Sequence, residues 1–329
     1  MGKMQQSAKN GILGKIRSFK EFNVLMVTII LIIGISIKSP IFLSASNIRT
    51  TLIGLACNGI IAIGMTLALV SGGFDLSVGA IMGLSACLTV VFAGMGLNVW
   101  FAAILALVVC IGVGLLTGTL IGRVGLNPFI TTLGIQQIAR GAVFVLTAGS
   151  SLSLPAGADI NSFKKLGQSS ILGIPVIVVI FIIMAVLGDF LVKKSSAAMK
   201  VFYIGSNEKA AILSGINAKK VKQMVYIITA TLAAVAGILT SARFGVATSN
   251  TGAGSEMTVI SAAVIGGASL TGGKGTILGA VVGVIMLSVI SNALVLFNVD
   301  VNWQSLISGA ILILAILFDL LSHKRKYKA

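Results

Sequence analysis

Residues 51–96 read TLIGLACNGIIAIGMTLALVSGGFDLSVGAIMGLSACLTVVFAGMG: two apolar runs, 51–71 and 76–96, separated by a Gly-rich break that carries Asp75. Each run has the length of about twenty residues needed to cross the hydrocarbon core as a helix, and a soluble core helix has no need of two such runs in succession. Further runs lie outward of this pair at 22–37, 99–122, 124–147, 171–192, 225–242, 257–272, 275–298 and 303–321. The sequence therefore predicts an all-α polytopic membrane protein of about ten transmembrane helices.

Composition agrees. Of 329 residues, 57% are hydrophobic and 10% charged, and mean hydropathy is +1.08, far from the soluble balance of about half apolar and a quarter charged. The 39 Gly against four Pro suit close helix packing in lipid. A net charge of +16 raises nucleic acid as a partner, but position excludes it, because Lys and Arg gather at 3–20, 193–222 and 324–328 beside apolar runs. With the N-terminus inside, 18 of the 24 basic residues fall on the cytoplasmic side, the positive-inside pattern. The expected organisation is a cytoplasmic segment 1–21, one membrane domain 22–321 with a cytoplasmic loop 193–224, and a basic cytoplasmic tail 322–329. The first twenty residues lack the apolar core of a removable signal peptide. Cys57, Cys87 and Cys110 sit inside apolar runs and read as small packing residues. Five spans on each side of the midpoint would make any repeat inverted in the membrane. The best internal match, Gly72-Gly73 with Leu76 against Gly266-Gly267 with Leu270, joins two cytoplasmic-side junctions and so does not fit that pairing.

Polar groups within the runs mark candidate path residues, because lipid leaves them unsatisfied. Asp75, with Gly72, Gly73 and Ser77 around it, reads as the cap of the following helix, as a gating group, or as both. Arg140 follows Thr131, Thr132, Gln136 and Gln137 at spacings that can share a helix face, which either ties helices together or lines a polar path. Asn58 and Thr66, about two turns apart, share another face, and neutral amides and hydroxyls suit a hydroxyl-rich solute as well as helix packing. The stretch from Gly266 to Thr276 superficially resembles a phosphate loop but has Ala268 and Gly275 where that pattern needs Gly and Ser or Thr. It reads as a tight turn or re-entrant break. No H-E-x-x-H, C-x-x-C or nucleophile elbow occurs, and the single His323 lies in the tail, so neither catalytic residues nor a metal or cofactor site is expected.

The loop 193–224 contains a short helix candidate with Asn207, Glu208, Ala210, Ala211, Leu213, Gly215 and Ile216. Leu213 and Ile216 form an i, i+3 apolar pair, and Gly215 can end the helix in a left-handed conformation. Such a segment suits docking into a partner's groove, or lying on lipid headgroups among its seven flanking Lys.

From about residue 50 onward the chain resembles the membrane permease subunits of ABC importers for ribose and related simple sugars. The resemblance rests on Gly72 to Gly79, on Asn127 to Gly134 followed by Arg140-Gly141, on the loop Gly205 to Ile216, and on Ile265 through Gly275, all in family order. It implies a second permease subunit, a cytoplasmic ATPase that holds ATP and Mg and meets the Gly205 to Ile216 loop, and an extracytoplasmic sugar-binding protein. Phe74 stands where that family often has a smaller aliphatic residue. Permeases for branched-chain amino acids share the general fold. The rival reading is an ion-coupled secondary transporter, which would place carboxylates near mid-membrane, whereas Asp75, Asp189 and Asp319 fall near predicted span ends.

Overall fold

The computed structural model describes residues 22–300 and, beyond them, 303, 304, 306, 307, 309–314, 316 and 317. The segments 1–21 and 322–329, and part of the tenth run 303–321, lie outside the described residues.

The chain is a helix bundle. Its elements are α1 (Phe22–Lys38), α2 (Ala45–Val70), α3 (Val78–Gly94), α4 (Val99–Thr119) continued by a π-turn to Val124, α5 (Pro128–Thr147), α6 (Ala158–Gln168), α7 (Val176–Lys194), α8 (Ser196–Ser206), α9 (Glu208–Leu213), α10 (Ala218–Phe244), α11 (Ser255–Ile265) and α12 (Ile277–Leu296). Two small antiparallel pairs complete it: β1 (Leu152–Ser153) with β4 (Val246–Ala247), and β2 (Ser170–Ile171) with β3 (Ile174–Pro175). Among the described residues, six helices are long and apolar enough to cross a membrane, and α1, α3 and α11 are shorter apolar helices.

Local chemistry explains the boundaries. Asn127 accepts the Phe129 N–H at 2.9 Å and Pro128 takes the first helical position, so α5 starts at 128 rather than at 124, where the apolar run begins. Ser44 and Thr276 cap α2 and α12 in the same manner.

The core is built around α2, α3 and α10. Residues 55–70 of α2 are almost continuously buried, as is most of α3. Close approach relies on small residues, since apolar area gives helices little drive to associate in lipid. Gly114, Gly118 and Gly122, one turn apart along α4 and its π-turn, lie against the backbone of Ile227, Gln223 and Lys219 of α10; a Cβ at Gly118 would sit 2.6 Å from the Gln223 carbonyl.

Contacts at the two ends of the bundle join segments that the charge pattern puts on the same side. At one end, Asp159 accepts from the Val99 N–H at 2.9 Å, Trp100 Nε1 donates to Ser162 at 3.0 Å, and Arg49 reaches the Gln168 carbonyl at 3.2 Å. At the other, Arg123 reaches Gln223 and Lys222 binds Glu208.

One expected span is not a full span. The run 257–272 forms only the 11-residue α11 and then an irregular loop, Gly266 to Thr276. At about 1.5 Å per residue α11 is about 16 Å long, roughly half the hydrocarbon thickness. Its start is placed by α3: Gly252 lies against Gly79 and Met82, and Thr251 lies 2.6 Å from a Cβ at Gly83. α3 is in turn placed by α10, because Ser85 donates to the Ala234 carbonyl at 3.0 Å. Ala234 stands about 15 Å along α10 from its C-terminal end at Phe244, a distance of about half the hydrocarbon thickness. The chain thus leaves α10, pairs β4 with β1, turns back along the bundle through 248–254 to the level of Gly79 and Gly83 and resumes there as a short helix. Helix α2 is likewise followed by a break, 71–77, and a shorter helix, α3.

Candidate translocation path and coupling surface

Asp75 is 1% exposed. Its Oδ1 accepts the Ser77 N–H at 2.9 Å and the Ser77 hydroxyl at 2.5 Å, while Oδ2 accepts the Thr229 hydroxyl of α10 at 2.7 Å. The cap expectation needs correcting in part: α3 starts at Val78, Ser77 holds the cap position with already helical dihedrals, and Asp75 stands two residues earlier. It binds one free N–H, as a cap would, but its second oxygen ties the break to another helix. Gly73 permits this closeness, since a Cβ there would lie 2.6 Å from the hydroxyl of buried Tyr226, which reaches the Phe74 carbonyl at 3.5 Å. Gly72 has φ +86°, a conformation that favours glycine.

On α5, Thr132, Gln136 and Arg140 follow one another by single turns, and Gln136 and Arg140 are the two that reach the polar segment after α10. Arg140 Nη1 donates to the carbonyls of Ser249 and Thr251 at 3.0 and 2.8 Å, satisfying turn groups that lipid would leave bare. Gln136 donates to Glu256 of α11 at 3.2 Å. Thr131 and Thr132 are buried and donate to their own helix carbonyls at Asn127 and Pro128. The expected common polar face is therefore narrower than the residue list, and Gln137 leaves it to stand exposed on the bundle surface. Thr66 is buried and bonded to the Ala62 carbonyl, and Asn58 is half-buried in α2.

Glu256 was missed by sequence reasoning. It is 6% exposed, packs against Gly79 one turn above Asp75, and its Oε2 is buried without a hydrogen-bond partner. To Asp75, Asp189 and Asp319, the carboxylates that the sequence places near the spans, Glu256 adds a further buried one inside the bundle. The available signal was local: Thr251-Gly252-Ala253-Gly254-Ser255 followed by an acid and an apolar run is a Gly-rich break with a carboxylate, as at Gly72 to Val78.

The 205–216 segment forms α8's end and α9. Asn207 caps α9 by accepting the Ala210 N–H at 3.0 Å, and Gly215 takes φ +81° as expected. The Leu213 and Ile216 pair does not share a face. The left-handed turn at Gly215 swings Ile216 inward against Ile204, Ala211 and Ala218, leaving Leu213 89% exposed beside Ile212. Ala210 is exposed, and Glu208 is held by Lys222 at 2.7 Å.

Three separated motifs meet at this end. Val70, the last residue of α2, accepts the Gly273 N–H at 2.8 Å; Gly205 lies directly on the same carbonyl; and a Cβ at Gly272 would sit 2.6 Å from the Gly205 carbonyl and 3.0 Å from Gly72 Cα. Four glycines thus let the first break, the end of α8 and the 266–276 loop touch backbone to backbone.

A cleft of about 490 Å³ lies between α2, α7, α8 and α10, lined by residues such as Ile63, Leu67, Met184 and Ile228. Its lining is almost wholly apolar, so it suits acyl chains rather than a polar solute.

Long apolar helices, Gly-mediated packing and buried carboxyl groups at helix breaks define a multi-pass membrane protein. The family model described as the permease component of the branched-chain amino acid transport system matches residues 47–316, and the chain belongs to this permease family. It is 36% identical over 291 residues to the ribose import permease protein RbsC of Bacillus subtilis, covering 88% of this chain and 89% of that one. RbsC of Escherichia coli K12 is 33% identical over 295 residues (90% and 92%), and the L-arabinose transport system permease protein AraH of the same strain 30% over 310 (94% and 93%). No solved structure matches the chain.

Proposed function

We propose that this chain is the membrane permease of a binding-protein-dependent importer for a simple sugar, with ribose or a related pentose or hexose favoured over a branched-chain amino acid. Hydrolysis takes place on a separate cytoplasmic subunit that holds ATP and Mg, an extracytoplasmic binding protein delivers the solute, and a second permease subunit completes the path. The tenth span is 303–321, both termini are cytoplasmic, and 22–321 is one membrane domain in two inverted halves. The paired arrangement of α2, break and α3 with α10, break and α11 supports those halves.

The observation that carries this reading is the glycine junction. A partner that pushes on exposed Leu213 moves α8 and α9, and Gly205 hands that motion to Val70 and hence to the break holding Asp75. Ribose and arabinose permeases among the relatives support the solute class. Glu256, a mid-membrane acid with a free oxygen, favours ion-coupled secondary transport as the second reading.

The discriminating experiment is uptake in proteoliposomes containing the chain, its co-purified ATPase and binding protein. Labelled ribose should accumulate with internal ATP and without any ion gradient. Accumulation driven by a proton or sodium gradient in the absence of ATPase would overturn the importer assignment.

A further inference from the structure

Irregular backbone at membrane depth persists only where protein buries it or water reaches it, since each unsatisfied N–H or C=O in lipid costs several kcal/mol. The turn 248–254 is irregular backbone whose carbonyls are paired within the turn and by Arg140, yet Asn250, Ala253 and Gly254 are exposed at the level of Gly79 and Gly83, near the bilayer midplane. Beside it stands Gln137, also exposed. Arg140, one turn from Gln137 on α5, donates to the carbonyls on either side of Asn250 and so brings the turn to this part of α5. Gly134 and Gly141, the small residues around Gln137, have open space where a Cβ would be. Behind this surface Glu256 holds Gln136, so the amides in front are backed by a fixed polar layer. The turn carbonyls are paired, but primary amides exposed at this depth would be left unsatisfied against acyl chains.

We infer that Asn250 and the turn around it, together with the Gln137 side of α5, form one wall of a water-filled passage and present neutral donors and acceptors to a hydroxylated solute. Amides match sugar hydroxyls because each offers both donor and acceptor. Arg140 and Glu256 stay behind the wall as positioning residues. The inference rests on the permease reading, but water access is measured without reference to any solute.

The test uses the assembled transporter in liposomes with single substitutions Asn250→Cys, Gln137→Cys and Ile183→Cys, the last on an exposed apolar face of α7. The native Cys57, Cys87 and Cys110 are buried, and the unsubstituted chain reports their background. A charged, membrane-impermeant methanethiosulfonate attacks only thiolates, which form in water and not in lipid. Asn250→Cys and Gln137→Cys should react at least about tenfold faster than Ile183→Cys, the margin that thiolate suppression in lipid readily provides. Ribose should slow both reactions. Rates no faster than Ile183→Cys, in variants that label fully once denatured, would overturn the passage. So would a spontaneous Asn250→Cys disulfide between two copies without labelling, which would make the patch a subunit seam. Labelling without ribose protection, alongside absent ribose uptake by the unsubstituted transporter, would sink the sugar reading and leave the passage standing.

Discussion

Gly205→Ala is the sharpest probe of the junction, because a single methyl tests whether the coupling segment and the first break truly share a backbone contact. An added Cβ would fall onto the Val70 carbonyl oxygen and within 2.7 Å of the Gly273 nitrogen, neither of which is the end of a flexible side chain. Relief requires α8 to move away from α2. Overpacking of this kind costs about 1–3 kcal/mol, and weakening the Gly273 N–H to Val70 bond adds about 0.5–1.5 kcal/mol. Against this stands the better helix propensity of Ala, worth at most about 1 kcal/mol and less near a helix end, where Gly205 lies. The net is a destabilisation of about 0.5–4.5 kcal/mol, read as a fall of several degrees in Tm in detergent. Gly112→Ala, in α4 with nothing within 4 Å of its added Cβ, supplies the control and should be neutral or stabilising. Transport should fall more steeply than stability in Gly205→Ala, with ATP hydrolysis continuing, because the connection between the segments is what is lengthened. A Gly205→Ala variant that melts and transports like Gly112→Ala would refute the junction as a route of coupling.

Three further outcomes follow from the same geometry. Asp75→Asn should cost under about 1 kcal/mol, since its carbonyl oxygen can still accept from Ser77 and its amide can donate to Thr229, whereas Asp75→Leu strands buried groups and should cost about 2–4 kcal/mol; equal melting of the two variants would contradict the network, and uncoupled ATP hydrolysis in Asp75→Asn alone would assign the charge to gating. Gly73→Ala should lose about 1–3 kcal/mol to the clash with Tyr226 Oη, and Tyr226→Phe should recover part of that loss in the double variant; a purely additive pair would place the strain elsewhere. Leu213→Ser should leave melting within about 0.5 kcal/mol of the unsubstituted chain, because Leu213 is exposed, yet weaken ATPase co-purification, while Ile216→Ser should do the reverse; loss of ATPase only in Ile216→Ser would turn the docking face over.

What the sequence determined by itself is what lipid dictates locally. A hydrocarbon environment demands long, internally bonded apolar runs, and these were legible at α1 to α5, α7, α10 and α12. Short-range chemistry was legible as well, in the Asn127-Pro128 helix start, the left-handed Gly215 and the buried cysteines. Tertiary structure decided the rest. The 257–272 run looked like a span because hydropathy counts apolar residues without knowing at what depth a helix begins, and only the contacts of Gly252 with Gly79 set that depth. Glu256 escaped notice for the same reason. Leu213 and Ile216 have helical spacing, but helical spacing fixes a common face only while the helix continues, and Gly215 ends it between them. The meeting of Gly72, Gly205, Gly272 and Gly273 has no local signature at all: each glycine is permissive alone, and their shared role arises because three distant stretches of backbone arrive at one carbonyl oxygen.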